Sequence, residues 1–342
     1  MKHPREVLLG AQGGGIAIPV CDHYCGTEQR MRKSLQLQAE MTQEFGACVF
    51  DVTLDCEDGA AVGSEAEHAA LVAEIALSAP PRARVAVRVH PVDHPAFEAD
   101  VHTIVRRAGH RLCHVMVPKV ESVADVEQAI QAVQAAGSQP LPLHVLIESA
   151  AAVHHAFAIA AHPAVQSLSF GLMDFVSAHG GAIPASAMTL ADAGGAALAD
   201  APFDQFTHPL VRRAKLEIAA ACHAHGKVPA HCVVTEFNDL TRVQRAARLA
   251  ATQLGYTRMW SIHPSQIRPI LAAFAPTESE IHDATEIIAK AFSANWEPIS
   301  FNRKLHDRAS YRYYWQVLER AHQTGQALPL QASSFFVADA AH

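Results

Sequence analysis

The sequence lacks the long apolar runs and the basic clusters that mark several classes of protein. No window approaches the roughly 20 apolar residues of a membrane-spanning helix, so no membrane span is predicted. The chain of 342 residues has 27 Lys and Arg against 34 Asp and Glu, a net charge of -7, and no basic run. This balance argues against nucleic acid or an anionic membrane surface as the main partner.

The cysteines and histidines do not follow the spacings of known disulfide or zinc frameworks. Seven cysteines are scattered along the chain and the first residues show no clear secretory pattern, so we expect reduced thiols in a cytoplasmic protein. Two segments, CDHYC (21–25) and CHAHGKVPAHC (222–232), are rich in Cys and His. Neither has the C-x-x-C or H-E-x-x-H spacing, which disfavours structural zinc there. A G-x-S-x-G nucleophile elbow is also missing.

The sequence does contain a regular alternation of short apolar runs with longer Ala-, Glu- and Gln-rich stretches. The eight runs cover residues 15–20, 47–55, 84–90, 114–120, 143–149, 167–175, 227–236 and 258–264. Helical stretches such as 122–136 and 241–255 lie between them. Strands that alternate with helices predict parallel pairing, and eight repeats favour a closed (β/α)₈ TIM barrel. The competitor is an open doubly wound sheet, but GAQGGG (10–15) precedes a strand instead of opening a helix.

The chain continues beyond the eighth run. Residues 276–292 begin with Thr277 three residues before Glu280, a pattern typical of a capping box, and a second helical stretch covers 308–323. We therefore predict two parts. Residues 1–275 form the barrel and carry the catalytic site, and residues 276–342 form a C-terminal helical appendage that acts as a lid or an oligomerisation segment.

Ionisable residues stand at the ends of most of the predicted strands, where barrel enzymes place their catalytic side chains. They include Glu57, Asp58, Arg88, Lys119, Glu148 and Asp174. Glu148 and Asp174 follow neighbouring runs, and two carboxylates at one point repel each other unless a cation or a proton intervenes. The pattern predicts a Mg²⁺ site, with Mn²⁺ as a substitute. The alternative is an ion pair with Arg88 or Lys119.

Arg88 lies in a half-apolar strand, RVAVRVH (84–90), and an arginine there needs a carboxylate or the solvent-filled barrel mouth. We predict that Arg88 points to the metal site and binds the substrate carboxylate through its planar fork. The alternative is a structural ion pair with Glu57 or Asp58.

Five segments, in order along the chain, resemble the HpcH/HpaI aldolase and citrate lyase superfamily, which includes the citrate lyase β-subunit-like malyl-CoA and citramalyl-CoA lyases. They are LDCEDGA (54–60), VRVHPVDHPAFEADV (87–101), VMVPKVESVADV (115–126), the stretch from IES to GLMDF (147–175), and MWSIHPSQ with the helix after it (259–281).

The resemblance implies a carbon–carbon lyase with a retro-aldol or retro-Claisen reaction. It implies that Glu148 and Asp174 bind Mg²⁺, that Arg88 binds the substrate carboxylate, and that Lys119 lines the pocket. The acidic pair Glu57 and Asp58 would lie beside the reacting carbon, and which of the two moves the proton stays open. It also implies a homotrimer or a hexamer.

Two departures from the family pattern concern coenzyme A. The family's V-P-G turn after the first strand is replaced by IPVCDHYCGTEQ, and the helix after the acidic turn, SEAEHAALV, has no Lys or Arg. The substrate is therefore left open between a hydroxyacyl-CoA thioester and a related hydroxycarboxylate. A coenzyme-A-independent oxo-acid aldolase and a non-catalytic metal- and acid-binding protein are the alternatives.

Overall fold

The computed structural model describes residues 3–10, 18–60, 62–137, 139–191 and 203–336. These residues form two compact units. The first consists of Val20–Glu40 and Phe50–Ala273, and the second of the described residues in Met1–Pro19, Met41–Val49 and Phe274–His342. The predicted role of residues 276–342 as a lid or an oligomerisation segment stays a prediction.

The first unit is a closed barrel of eight parallel strands in sequential order, which confirms the predicted fold class. The strands are β1 (Cys21–Cys25), β2 (Phe50–Asp55), β3 (Val85–Arg88), β4 (Leu112–Val117), β5 (Leu143–Ile147), β6 (Val165–Phe170), β7 (Val228–His231) and β8 (Arg258–Ser261). Strand β1 closes the barrel because Cys21 pairs with Phe50 of β2 on one side and with Met259 of β8 on the other.

Helices follow the strands, as the alternating pattern predicts. They are α2 (Glu28–Phe45), α3 (Glu65–Ser78), α4 (Phe97–Ala108), α5 (Val123–Ala135), α6 (Ala150–Ala161), α7 (Leu172–Ser177), α8 (Pro209–Ala224), α9 (Leu240–Gln253) and α10 (Ile267–Phe274). Helix α5 begins with a capping box between Ser122 and Asp125. None of the helices in the described ranges is long and apolar enough to span a membrane.

The predicted first strand, 15–20, is wrong. Ile18–Val20 precede the strand, residues 11–17 lie outside the described ranges, and β1 begins at Cys21. Pro19 has no N–H to donate to a strand ladder, whereas Cys21–Cys25 pairs on both sides. The sequence did not predict this strand because Asp22 and His23 are polar. Both are buried in the structure, and the sequence alone does not reveal that.

The run 167–175 is only partly a strand. Strand β6 ends at Phe170, Gly171 is the residue before helix α7, and Asp174 therefore lies in the first turn of that helix. The physical reason is local: a side chain on Gly171 would collide with Glu148, so glycine marks the point where the chain turns from strand to helix.

The second unit is built around two long helices, α11 (Glu278–Ser293) and α12 (Arg308–Gln323). Helix α11 begins with the predicted capping box, since Thr277 and Glu280 bond reciprocally. Between the helices lies a two-stranded hairpin, β9 (Ile299–Phe301) and β10 (Lys304–His306). The shorter helices α1 (Pro4–Leu9) and α13 (Leu330–Ser333) contribute to the same apolar core, which is centred on Trp315.

Candidate active site at the carboxyl ends of the strands

Side chains that point into the barrel form layers, because alternate residues of a strand face the same side. The middle layer is apolar and buried, and it consists of Met116, Leu146, Ala230 and Trp260. The next inward positions, towards the carboxyl ends of the strands, are charged. Glu148 follows Leu146 by two residues, and Arg88 is the last residue of β3. Charged groups therefore meet above an apolar floor.

The turn after β2 is organised by Asp55, the buried last residue of that strand. Its Oδ1 accepts a hydrogen bond from the Glu57 N–H at 3.0 Å, and its Oδ2 accepts one from the Gly59 N–H at 2.8 Å. A Cβ on Gly26 would lie 1.9 Å from the Gly59 carbonyl oxygen. The turns after β1 and β2 therefore approach this closely only because glycine stands at that contact.

Arg88 binds two acidic side chains of this turn. Its Nε donates to Asp55 Oδ1 at 2.7 Å, one terminal nitrogen donates to Asp55 Oδ2 at 2.6 Å, and the other lies 2.9 Å from Glu57 Oε2. Burial opposes ionisation of Asp55, but Arg88 holds the pKa of Asp55 below its ordinary value. These contacts engage three of the five N–H groups of the guanidinium. Arg88 thus forms the structural ion pair with Glu57 that was the alternative. Binding of the substrate carboxylate by Arg88 stays a prediction.

Lys119 connects the acidic turn to Glu148. Its Nζ donates to Glu57 Oε1 at 2.7 Å, and its backbone N–H donates to Glu148 Oε2 at 2.8 Å. The backbone of Lys119 has φ 52°, a left-handed conformation that costs energy for a lysine. That conformation allows one residue to serve both carboxylates. Although partial burial opposes it, Glu57 raises the pKa of Lys119 above its ordinary value.

Glu148 is a buried carboxyl group with carboxylates nearby. Burial raises its pKa to about 8, and the charges of Asp174 and Glu57 add to the effect. A Cβ on Gly171 would lie 2.3 Å from Glu148 Oε1, so the chain leaves space for this carboxyl group by having no side chain there. Asp174 is half-buried in the first turn of α7. The pair thus needs a proton or a cation to coexist.

A cavity of about 210 Å³ brings these groups together. Its wall contains Tyr24, Asp58, Arg88, Glu148 and Asp174, and Phe170, Cys232 and Trp260 are among its other residues. Two carboxylates beside open space are a donor set that suits Mg²⁺, which typically takes one or two carboxylates and completes its shell with water and substrate oxygens. The residues present therefore fit a divalent cation held by Glu148 and Asp174.

A larger groove of about 1050 Å³ borders the first strand and helix α2. Arg30, Arg32 and Lys33 of α2 contribute exposed cationic side chains to it. Arg32 is engaged by Glu28 and Glu74 at 2.9 and 3.0 Å. Tyr24 lines both this groove and the smaller cavity, and its ring packs against Arg88 and Trp260 at centroid distances of 5.1 Å each.

All six candidate residues from the sequence lie in one network at this rim. Asp58, Arg88, Glu148 and Asp174 line the cavity, and Glu57 and Lys119 are bonded to its walls. No role was predicted for Asp55, Tyr24 or Gly171. The signals for Asp55 and Gly171 were present: an acid that ends a buried strand, and a glycine between a strand and an acid. Tyr24 was missed because the first strand was misplaced.

Comparisons with known proteins identify relatives of this chain. Residues 35–264 match the family model described as HpcH/HpaI aldolase/citrate lyase. An L-malyl-CoA/beta-methylmalyl-CoA lyase of Cereibacter sphaeroides is 32% identical over an alignment of 260 residues, and the match covers 72% of this chain and 79% of that protein. A citrate lyase subunit beta-like protein of Deinococcus radiodurans is 29% identical over 71% of this chain and 78% of its own length.

Solved structures show the same architecture. The crystal structure of a citrate lyase from Burkholderia xenovorans LB400 is 48% identical, with a TM-score of 0.77, and covers 98% of this chain and 100% of that chain. Protein CitE of Mycobacterium tuberculosis, in complex with magnesium, acetoacetate and coenzyme A, has a TM-score of 0.62 at 23% identity. It covers 89% of this chain and 98% of that one, a likeness that shows the fold alone.

Proposed function

Because the chain belongs to the HpcH/HpaI aldolase/citrate lyase family, we propose that it is a Mg²⁺-dependent lyase that cleaves a hydroxyacyl-CoA thioester into an oxo acid and a shorter acyl-CoA. The predictions of the family and of a carbon–carbon lyase are confirmed. The metal and the substrate are the part that is proposed. The observation that carries the proposal is the buried Glu148 carboxyl group beside Asp174, in a cavity whose wall also contains Arg88.

In this proposal Glu148 and Asp174 bind the Mg²⁺ ion. When bound, the ion supplies Lewis acidity to an oxygen of the hydroxy or oxo acid. Lys119 positions Glu148 through its backbone N–H, and Gly171 leaves room for the carboxyl group. Arg88 keeps two N–H groups beyond those engaged by Asp55 and Glu57, and these bind the substrate carboxylate as a charge-assisted pair.

Asp58 is the better of the two candidates for moving the proton of the hydroxyl group. Glu57 accepts from both Arg88 and Lys119, so its lone pairs are occupied by cations. Asp58, the residue after Glu57, lines the cavity directly. A general base must come within hydrogen-bond reach of the proton that it removes, which favours Asp58.

The groove beside α2 is the proposed site of the coenzyme A moiety. Its volume exceeds that of the cavity several-fold, and its cationic side chains suit phosphate groups. Several relatives act on coenzyme A thioesters by name, including the malyl-CoA lyases of Cereibacter sphaeroides. Arg30 and Lys33 would supply the positive charge for the phosphates of coenzyme A that the two departures from the family pattern, at the first strand and at the helix after the acidic turn, remove. A substrate that spans both spaces would pass over Tyr24, which lines both.

A parallel screen tests the proposal. Purified protein with and without Mg²⁺ is given malyl-CoA, citramalyl-CoA and citryl-CoA beside the free hydroxy acids and small hydroxy-oxo acids, and released glyoxylate, pyruvate or oxaloacetate is measured. We expect Mg²⁺-dependent release from at least one thioester. Release from free acids alone would show a coenzyme-A-independent aldolase. Binding of oxo acids without any turnover would show a non-catalytic relative.

Removing the cations of the groove is expected to weaken thioester binding. In Arg30→Ala and Lys33→Ala we expect KM for the thioester to rise about tenfold each, as loss of a hydrogen bond to a charged group predicts, with kcat nearly unchanged. Raising the salt concentration should raise KM of the wild type in the same direction. Steady-state kinetics check both effects. Arg82→Ala is the matched control, because Arg82 is exposed on the loop that leads into β3. Unchanged KM in both groove variants would refute this placement.

A further inference from the structure

Tyr24 lies at the junction of the cavity and the groove that the proposed substrate would fill. It belongs to β1, near the carboxyl end of that strand, and its side chain packs against the apolar layer inside the barrel. Among the described residues that line either space, Tyr24 alone lines both. A molecule with its carboxylate in the cavity and its coenzyme A moiety in the groove therefore has to pass this side chain.

The ring of Tyr24 is held in place, whereas its hydroxyl group is open to a ligand. The Arg88 guanidinium lies over the ring at 5.1 Å from its centroid, and the Trp260 ring meets it edge-on at a centroid distance of 5.1 Å. The hydroxyl forms no hydrogen bond with any residue of the described ranges, and it is not closed off from solvent. A tyrosine hydroxyl in such a place usually has a hydrogen-bond partner, which points to a bound molecule.

The surroundings of Tyr24 keep its hydroxyl group protonated. Burial raises the pKa of Tyr24, and the charges of Asp55, Asp58 and Glu148 add to the effect, although Arg88 opposes it. The phenol is therefore a neutral hydrogen-bond donor near neutral pH. Such a donor can stabilise a negative charge that develops on a substrate oxygen, and it brings no further negative charge next to these carboxylates.

We propose that Tyr24 is a further catalytic residue, whose hydroxyl group donates a hydrogen bond to the thioester carbonyl oxygen of the substrate. This inference rests on the proposed function. The thioester joins the hydroxy acid to coenzyme A, so with the carboxylate beside Arg88 in the cavity and coenzyme A in the groove, the thioester lies between the two spaces. Tyr24 is the residue that the structure places at that point.

The hydrogen bond becomes stronger during carbon–carbon cleavage, because negative charge then develops on the thioester oxygen. Asp58 removes the proton of the substrate hydroxyl group, and that carbon becomes the carbonyl carbon of the oxo acid. The carbon–carbon bond breaks, its electron pair forms the double bond of an enolate, and the carbonyl pair moves onto the thioester oxygen. Tyr24 keeps its own proton and stabilises this oxyanion. The enolate carbon then takes up one proton, which balances the proton that left the hydroxyl group.

Tyr24→Phe removes the hydroxyl group and keeps the ring against Arg88 and Trp260. With the thioester that the wild type cleaves, we expect kcat to fall about 10²–10³-fold, the usual loss for one oxyanion donor, and KM to stay nearly unchanged. Tyr313→Phe is the matched control, because Tyr313 is 57% exposed on α12, and it should keep wild-type kinetics. Titration with pyruvate or glyoxylate in Mg²⁺ should give Tyr24→Phe the affinity of the wild type. A lower oxo-acid affinity with unchanged kcat would show that Tyr24 only supports Arg88.

A pair of ligands tests the contact itself, and its first half needs only the wild type. Acetyl-CoA has the thioester carbonyl group, and S-ethyl-CoA has a methylene group in its place. A neutral hydrogen bond predicts that the wild type binds acetyl-CoA about fivefold more tightly than S-ethyl-CoA in calorimetric titrations. Tyr24→Phe should bind the two ligands equally, because it lacks the donor.

The possible failures of the two proposals are distinct. A wild type that cleaves no thioester would overturn the proposed function and this role of Tyr24 with it. A wild type that cleaves a thioester no faster than Tyr24→Phe would overturn the role of Tyr24 alone. Equal affinity of the wild type for acetyl-CoA and S-ethyl-CoA, or the same preference for acetyl-CoA in both proteins, would also overturn that role.

Discussion

Glu148→Gln is expected to lower kcat/KM by about 10³-fold or more, since loss of a ligand charge removes several kcal/mol of electrostatic stabilisation. The substitution keeps the shape of the side chain and an oxygen that accepts from the Lys119 N–H. The loss should therefore not come from misfolding. Kinetics at saturating Mg²⁺ and calorimetric titration of Mg²⁺ measure the effect. Glu127→Gln on α5 is the control, because it changes an acid that the proposal does not use.

The same variant should be more stable than the wild type when Mg²⁺ is absent, although its activity is lower. Burial raises the pKa of Glu148 to about 8, above its ordinary value, so the folded protein binds a proton that the unfolded chain releases. Without Mg²⁺, stability from this group is complete below the unfolded pKa and is lost as pH rises through about 8. At pH 8 to 9 without Mg²⁺, Glu148→Gln is therefore expected to melt at a higher temperature than the wild type. Its free energy of unfolding should exceed that of the wild type by an amount on the order of 2–4 kcal/mol.

Added Mg²⁺ should reverse that order, because it stabilises only a protein that binds it. Thermal melts of both proteins from pH 5 to 9, with and without Mg²⁺, make the comparison. A stability difference between Glu148→Gln and the wild type that does not grow with pH across that range without metal would contradict the raised pKa of Glu148. A variant that Mg²⁺ stabilises as much as the wild type would show that Glu148 is not the ligand.

Much of the site was predictable because parallel strands end at the same rim. That rule was enough to predict that six residues lie together at one rim, without knowledge of any contact: Glu57, Asp58, Arg88, Lys119, Glu148 and Asp174. The eight-fold alternation was also sufficient for the barrel. Both inferences rely on periodicity, which a sequence displays directly.

Other features depend on contacts between distant segments, which periodicity does not display. The sequence offered Glu57 or Asp58 as the partner of Arg88, whereas the bidentate partner is Asp55, the residue opposite Arg88 in the register of β2 and β3. The first strand was predicted at the wrong position because the segment CDHYC, which forms β1, contains polar residues. Asp22 and His23 are polar because the barrel interior around them is itself charged. Asp22 of β1 likewise comes close to His114 of β4 and His144 of β5 only because the barrel closes, since β1 does not pair with β4 or β5.

Arg88→Lys is expected to reduce both stability and activity, because the same guanidinium serves the fold and the proposed site. The side chains of Asp55 and Glu57 are buried and share the cation. A lysine supplies one point charge and loses the planar fork that fits Asp55, so the free energy of unfolding should fall by about 2–4 kcal/mol. If Arg88 also binds the substrate carboxylate, kcat/KM should fall by about 10²-fold or more at a temperature where the variant is fully folded.

Asp55→Asn separates the two roles. It leaves the guanidinium in place and removes the charge that holds it, so stability should fall as in Arg88→Lys. Oxo-acid binding should fall less than in Arg88→Lys, because the cation that pairs with the carboxylate remains. Chemical denaturation gives the stability of each variant, and titration with pyruvate or glyoxylate in Mg²⁺ gives the affinity. Destabilisation of Arg88→Lys with oxo-acid affinity equal to that of the wild type would limit Arg88 to its structural pairs and assign the substrate carboxylate to another cation.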